Sequence, residues 1–96
     1  GSTALHLASQ EGHTETVRLL LTRGVRPDAR KNDGATPLHI AASFGQKLVA
    51  ILLLEANKDY IDLKDEDGWT PLHLASWYGQ EQIVQLLLEN CADFNA

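Results

Sequence analysis

Three histidines, His6, His39 and His73, each follow a threonine by three residues (Thr3, Thr36 and Thr70). Imidazoles at a repeated spacing invite a metal site. One ion needs its ligand atoms within roughly 2.0–2.1 Å, whereas equivalent residues on packed helices stand ~8–10 Å apart. The three rings therefore cannot share an ion, and a structural use fits better, with the threonines as helix N-caps. The other group that could do chemistry is the run Asp65-Glu66-Asp67. It falls on a loop with no neighbouring apolar pocket to raise a carboxyl pKa for acid–base work. It also lacks the roughly 12-residue ligand spacing of a calcium loop, so a solvated loop tip is expected. Cys91 is the one cysteine, too few for an internal disulfide or a zinc site. No Gly-x-Ser-x-Gly, phosphate-cradling glycine loop or His-Glu-x-x-His is present. The expectation is a non-enzyme with no catalytic residue, no cofactor and no metal.

The elements that carry these residues repeat. Thr3-Ala4-Leu5-His6-Leu7-Ala8, Thr36-Pro37-Leu38-His39-Ile40-Ala41 and Thr70-Pro71-Leu72-His73-Leu74-Ala75 follow one another at steps of 33 and 34 residues. A fixed period of this size means stacked equivalent units. Each unit reads as turn, helix, short loop, helix, longer loop. Asp33-Gly34 marks a tight turn, Thr36 an N-cap and Pro37 a first helical position. Gly45 stops the first helix. A second helix follows at roughly His13–Arg23, Gln46–Ala56 and Gln80–Asn90. In the last of these, Ile83, Val84, Leu86, Leu87 and Leu88 span about 200° of the helical wheel. A stripe that wide must be covered on two sides, by the partner helix and by an adjacent unit. At the ends of these helices stand Gly24, Asn57 and Cys91. Gly24 and Asn57 are expected to adopt left-handed geometry there, and Cys91 less readily.

The period and the hexapeptide at the head of each unit resemble the ankyrin repeat, over nearly the whole chain. The resemblance implies an all-α solenoid of helix-turn-helix units joined by β-hairpin-like finger loops. It implies one domain, 1–96, with units at about 1–30, 31–64 and 65–96. The fingers are Val25–Gly34 and Lys58–Gly68, the second one residue longer near Tyr60-Ile61. The threonine hydroxyls and histidine rings then tie the turns together within and between units. The first unit departs from the pattern, with Ala4 in place of proline and no turn before Thr3. The last helix still presents Leu86-Leu87-Leu88. A fragment or minimal array from a longer protein is expected, or ends covered by something else, with end-to-end self-association as a consequence. The family also implies that an asparagine at the place of Asn95 can be hydroxylated, although Asp28 and Asp62 stand there in the other units.

Composition and charge narrow the partner. Forty-four per cent apolar residues fits a folded domain, and no run approaches the roughly 18 apolar residues of a membrane span. The first motif starts at Thr3 with no leader pattern before it. A single cysteine favours an intracellular setting, cytoplasmic or nuclear. Of the net charge of −5, residues 1–50 hold six basic and four acidic residues, and residues 51–96 two basic and nine acidic. The acidic half argues against duplex nucleic acid; it suits a basic partner or is a solvated surface that only aids solubility, and the expected partner is another protein or peptide, basic or apolar. Arg26, Arg30 and Lys31 make the first finger basic, which leaves a phosphopeptide or lipid headgroup open there.

The informative positions are those where the units differ. Seven residues after the threonine stand Gln10, Ser43 and Trp77; eight after, Glu11, Phe44 and Tyr78; one before, Ser2, Ala35 and Trp69. The first unit is polar at all three, so the fold does not require aromatics there. The resemblance implies that these positions lie on the fingers and the concave face of the first helices, where partners bind. Tryptophan and tyrosine are over-represented at binding hot spots. Expected partner-binding residues are therefore Asp33, Ala35, Ser43, Phe44, Glu66, Asp67, Trp69, Trp77 and Tyr78. The expected function is a protein–protein interaction module, a scaffold or adaptor. The alternatives are a regulatory or substrate-docking domain of a larger enzyme and, third, an engineered binder. For the aromatic patch itself, the competing account is a cover for the end of the array.

Overall fold

Each unit opens at a threonine that caps a helix. The computed structural model describes residues 3–93 and 95; Gly1 and Ser2, the start of the first unit, lie outside them. At Thr36 the backbone is extended, and the hydroxyl oxygen accepts the His39 N–H at 3.3 Å. The Thr36 N–H and hydroxyl both donate to His39 Nδ1, at 3.1 and 2.8 Å. This is a reciprocal capping box with histidine in the place usually taken by an acid. The same box forms at Thr3–His6 and Thr70–His73. It starts α1 (Ala4–Glu11), α3 (Pro37–Phe44) and α5 (Pro71–Trp77). Ala4 replaces proline without loss of the cap, because proline supplies only a preset φ at that position. α3 ends at Gly45, with φ +70° and its N–H on the Ala41 carbonyl. The second helices are α2 (Thr14–Thr22), α4 (Lys47–Ala56) and α6 (Glu81–Glu89), slightly shorter than the sequence suggests.

The six helices form two layers, with α1, α3 and α5 side by side and α2, α4 and α6 packed behind them. Leu5, Leu38 and Leu72 from the first layer meet Val17, Val49, Leu53, Ile83 and Leu87 from the second in one core. Each large side chain buried in this way contributes about 1.5–3 kcal/mol. Polar ties run between units at equivalent places. His6 Nε2 donates to the Ala35 carbonyl and His39 Nε2 to the Trp69 carbonyl, both at 2.8 Å. Because Nδ1 of each ring accepts from its own cap, Nε2 must carry the proton. Burial holds both rings below the ordinary histidine pKa, against the raising effect of the carbonyl bond. Gln46 donates to the Gln10 carbonyl at 2.9 Å and Gln80 to the Ser43 carbonyl at 3.1 Å. The family expectation of a solenoid tied by threonine and histidine is met.

The fingers carry hairpin-type closing bonds, Lys31 N–H to Ala35 O and Asp65 N–H to Trp69 O, both 2.9 Å. They are tight turns; no strand forms among the described residues. Adjacent fingers are linked by the Glu66 N–H on the Asp33 carbonyl and by Arg30 on the Gly34 and Lys64 carbonyls.

Two helix ends differ from expectation. Asn57 is extended (φ −166°), because the extra residue of that loop is absorbed by a 3-10 turn, Lys58–Tyr60, which Asn57 caps through its side chain. Cys91 instead adopts the left-handed geometry, at φ +70°.

Leu54 is 3% exposed under the third unit, whereas Leu88, at the same place in α6, is 45% exposed.

Candidate functional site

The aromatic residues of the third unit converge where the second finger meets α5. Trp69 sits on the last residue of the finger turn. Its N–H donates to Asp65 Oδ1 at 2.9 Å, and Asp65 N–H returns to its carbonyl. The same Asp65 oxygen takes the Asp67 N–H at 3.0 Å. One carboxylate thus fixes the finger and, through it, the direction of the indole. Trp77 closes α5, and Tyr78 is the residue after it. The two tryptophan rings meet edge to face, with centroids 5.7 Å apart and planes at 84°. Trp69 also stands edge-on to the His73 ring, at 6.3 Å. Trp77 is 72% exposed and Tyr78 58% exposed. Large aromatics held open to water cost hydration free energy that a partner would recover.

The tryptophan pair divides two open grooves. One, of about 510 Å³, is lined by Asp67, Gly68, Trp69, His73, Ser76 and Trp77. It lies toward the open end of the stack, since His73 is on the α5 face that His39 uses to reach the next unit. The other, of about 300 Å³, is lined by Asp65, Asp67, Trp69, Leu74, Trp77 and Tyr78.

Of the residues singled out from the sequence, Asp67, Trp69, Trp77 and Tyr78 come together around these grooves. Glu66 is on the same finger tip and is exposed, but its N–H is committed to Asp33. Asp33 is exposed on the first finger, its side chain accepting the Ala35 N–H at 3.0 Å. Phe44 is half open to solvent at the end of α3, one unit away in the same row, beside the partly buried Ser43. Neither lines the two grooves. Ala35 is 5% exposed, with its carbonyl taken by His6, so it offers a partner almost no surface. The sequence had given Asp65 no place in the site, and Leu74, His73 and Ser76 were also missed. Leu74 could not have been found from differences between units, since the apolar Leu7 and Ile40 occupy its place in the others. Asp65 differs from Lys31 at the same place in the first finger and could have been found on that ground, but its anchoring of the turn could not, because the first finger anchors its turn through Asp33 instead.

The histidines of the first two units are committed to the scaffold. The ring nitrogens of His6 and His39 are spent on caps and carbonyls. Among the described residues no group of three or more His, Cys, Asp or Glu side chains could hold a metal ion. No described helix is long and apolar enough to cross a membrane.

Comparison with known proteins agrees with the repeat. The family description "Ankyrin repeats (3 copies)" matches residues 5–96. Protein phosphatase 1 regulatory subunit 12A of Mus musculus is 42% identical over 55 residues, 57% of this chain and 5% of its own length. Rabankyrin-5 of Homo sapiens is 35% identical over 65 residues, 68% of this chain and 6% of its own. A putative ankyrin repeat protein of Rickettsia bellii is 44% identical over 52 residues, 54% of this chain and 22% of its own. The chain thus corresponds to a small part of the relatives it matches. Ankyrin repeats are in general protein-interaction modules. With three capped helix pairs stacked in register and the family description spanning nearly all of it, the chain belongs to the ankyrin-repeat family.

Proposed function

We propose that this chain is a non-catalytic protein–protein interaction module, one domain of three units within a longer intracellular scaffold or adaptor. Its contact surface is the second finger and the end of α5, continued by Phe44 on α3. The observation that carries this reading is the exposure of Trp77 and Tyr78 at positions where the first unit has Gln10 and Glu11. Packing does not require aromatics there, and exposed tryptophan and tyrosine are the residues that dominate binding free energy at interfaces. Phe44, exposed in the same row, extends the patch toward the middle unit. The acidic rim of Glu66 and Asp67 favours a partner with positive charge.

A second reading, a regulatory or docking segment of a larger enzyme, is favoured by the likeness to protein phosphatase 1 regulatory subunit 12A. It uses the same surface and differs in what the rest of the protein does.

Capture from cell lysate by the wild-type chain and by the Trp69/Trp77/Tyr78 triple alanine variant tests the surface. The captured proteins should be lost with the variant while its circular dichroism stays helical. Equal capture by both would place the contact elsewhere.

A further inference from the structure

Resting on that reading and sharpening it, we propose that the groove between the second finger and α5 seats the guanidinium of an arginine in a basic peptide. Its six lining residues divide into three kinds. Trp69, Trp77 and Tyr78 are aromatic, Leu74 is aliphatic, and Asp65 and Asp67 are acidic. The tryptophan planes stand at 84°, so they form a corner rather than a flat stack. A cation in that corner lies against the negative π-face of an indole and beside a carboxylate at once. The methylenes of a long side chain cover Leu74 while its charged head stays at the rim. A guanidinium suits the site better than an ammonium, because its plane can stack on indole while its N–H fork meets a carboxylate.

The carboxylates are not neutralised from within. The ion pairs found among the described residues are Arg18–Glu15 and Arg26–Asp28, and neither involves this finger. Arg30, the cation that reaches across from the first finger, donates through the same terminal nitrogen to the Gly34 and Lys64 carbonyls. Asp65 gives only Oδ1 to the turn amides. The half of the chain that builds the groove holds nine acidic and two basic residues, so its field draws cations toward the site.

Two synthetic five-residue peptides test this, one with a central arginine between alanines and serines, the other with citrulline, which has the same shape and no charge. Each is titrated into the isotope-labelled protein while the indole N–H signals of Trp69 and Trp77 are followed. The arginine peptide should move both signals. Its affinity should fall about tenfold with citrulline and severalfold between low salt and about 0.15 M salt. Trp77→Ala and Asp67→Asn, the latter keeping an Asn-Gly turn, should each remove most of the arginine preference. Equal binding of the two peptides would overturn the cation site and leave an apolar contact surface standing. Shifts confined to the first finger, or no shift with either peptide, would overturn it as well. The contact-surface reading fails separately, if the triple alanine variant still captures its partners.

Discussion

The second and third units begin with the same cap and are used differently. His39 is fully buried and ties its unit to the next through the Trp69 carbonyl. His73 forms the same box with Thr70 but stays half-buried, and among the described residues its outer nitrogen meets no acceptor. The cap is therefore a local property of the hexapeptide, while the tie between units depends on a neighbour. The reverse holds seven and eight residues further on. Ser43 and Phe44 in one unit become Trp77 and Tyr78 in the other on the same backbone. Residues that recur hold the stack together, and on the proposed reading residues that change are released for recognition.

The sharpest way to break that division is to remove the same ring twice. His39→Ala should cost about 3 kcal/mol, since it leaves a cavity and a buried carbonyl without its donor. His73→Ala should cost only about 1 kcal/mol, the value of the cap. Urea denaturation of the two variants measures the difference, and equal losses would mean that the tie between units contributes nothing. Next, Trp77→Ala should weaken partner binding by about 2 kcal/mol and change folding stability by less than about 0.5 kcal/mol. Gly45→Ala should cost about 1–2 kcal/mol from the left-handed φ alone, and more because its Cβ would fall 2.5 Å from Gln80 Oε1, on the side chain that bonds the Ser43 carbonyl.

A smaller effect should come from pH. Burial holds the folded pKa values of His6 and His39 below the ordinary histidine value of about 6.5, so the native state binds fewer protons than the unfolded chain. The neutral rings' contribution is complete above about pH 6.5 and is lost as pH falls through the lower folded values. Denaturation midpoints measured from about pH 7.5 downward should begin to drop near about pH 6.5. Asp28, held below its usual value by hydrogen bonding to Arg26, contributes in a separate window, as pH falls from about its usual 3.8 through its lower folded value. A midpoint flat down to about pH 5 would show that the buried rings take up protons without loss.

Much of this was legible before any coordinates. The threonine caps and the stop at Gly45 follow from local residue chemistry repeated at a fixed period, whereas two-sided burial of the second helices is met only by α4, which packs between α2 and α6, and not by α6, whose Leu88 is 45% exposed. The finger turns were legible as turns, but their anchoring was not. Asp65 and Asp33 do equivalent work from different positions, and nothing in the spacing says which carboxylate oxygen a backbone amide will find. Asn57 misled for a related reason. It can adopt left-handed geometry, yet one inserted residue gave it a 3-10 turn to cap instead. The proposed site was drawn from a set of differing positions. Which of them share a groove depends on how the indoles pack, which put Phe44 outside and Leu74 inside.

The claim that recurrence marks scaffold and difference marks recognition is tested most directly by one paired measurement. His39→Ala and Trp77→Ala are compared for folding stability and for partner binding per folded molecule. The account predicts a crossover, in which His39→Ala loses stability but keeps binding and Trp77→Ala keeps stability but loses binding. If Trp77→Ala unfolds the chain while binding per folded molecule survives, the aromatic patch is part of the scaffold and the account is wrong.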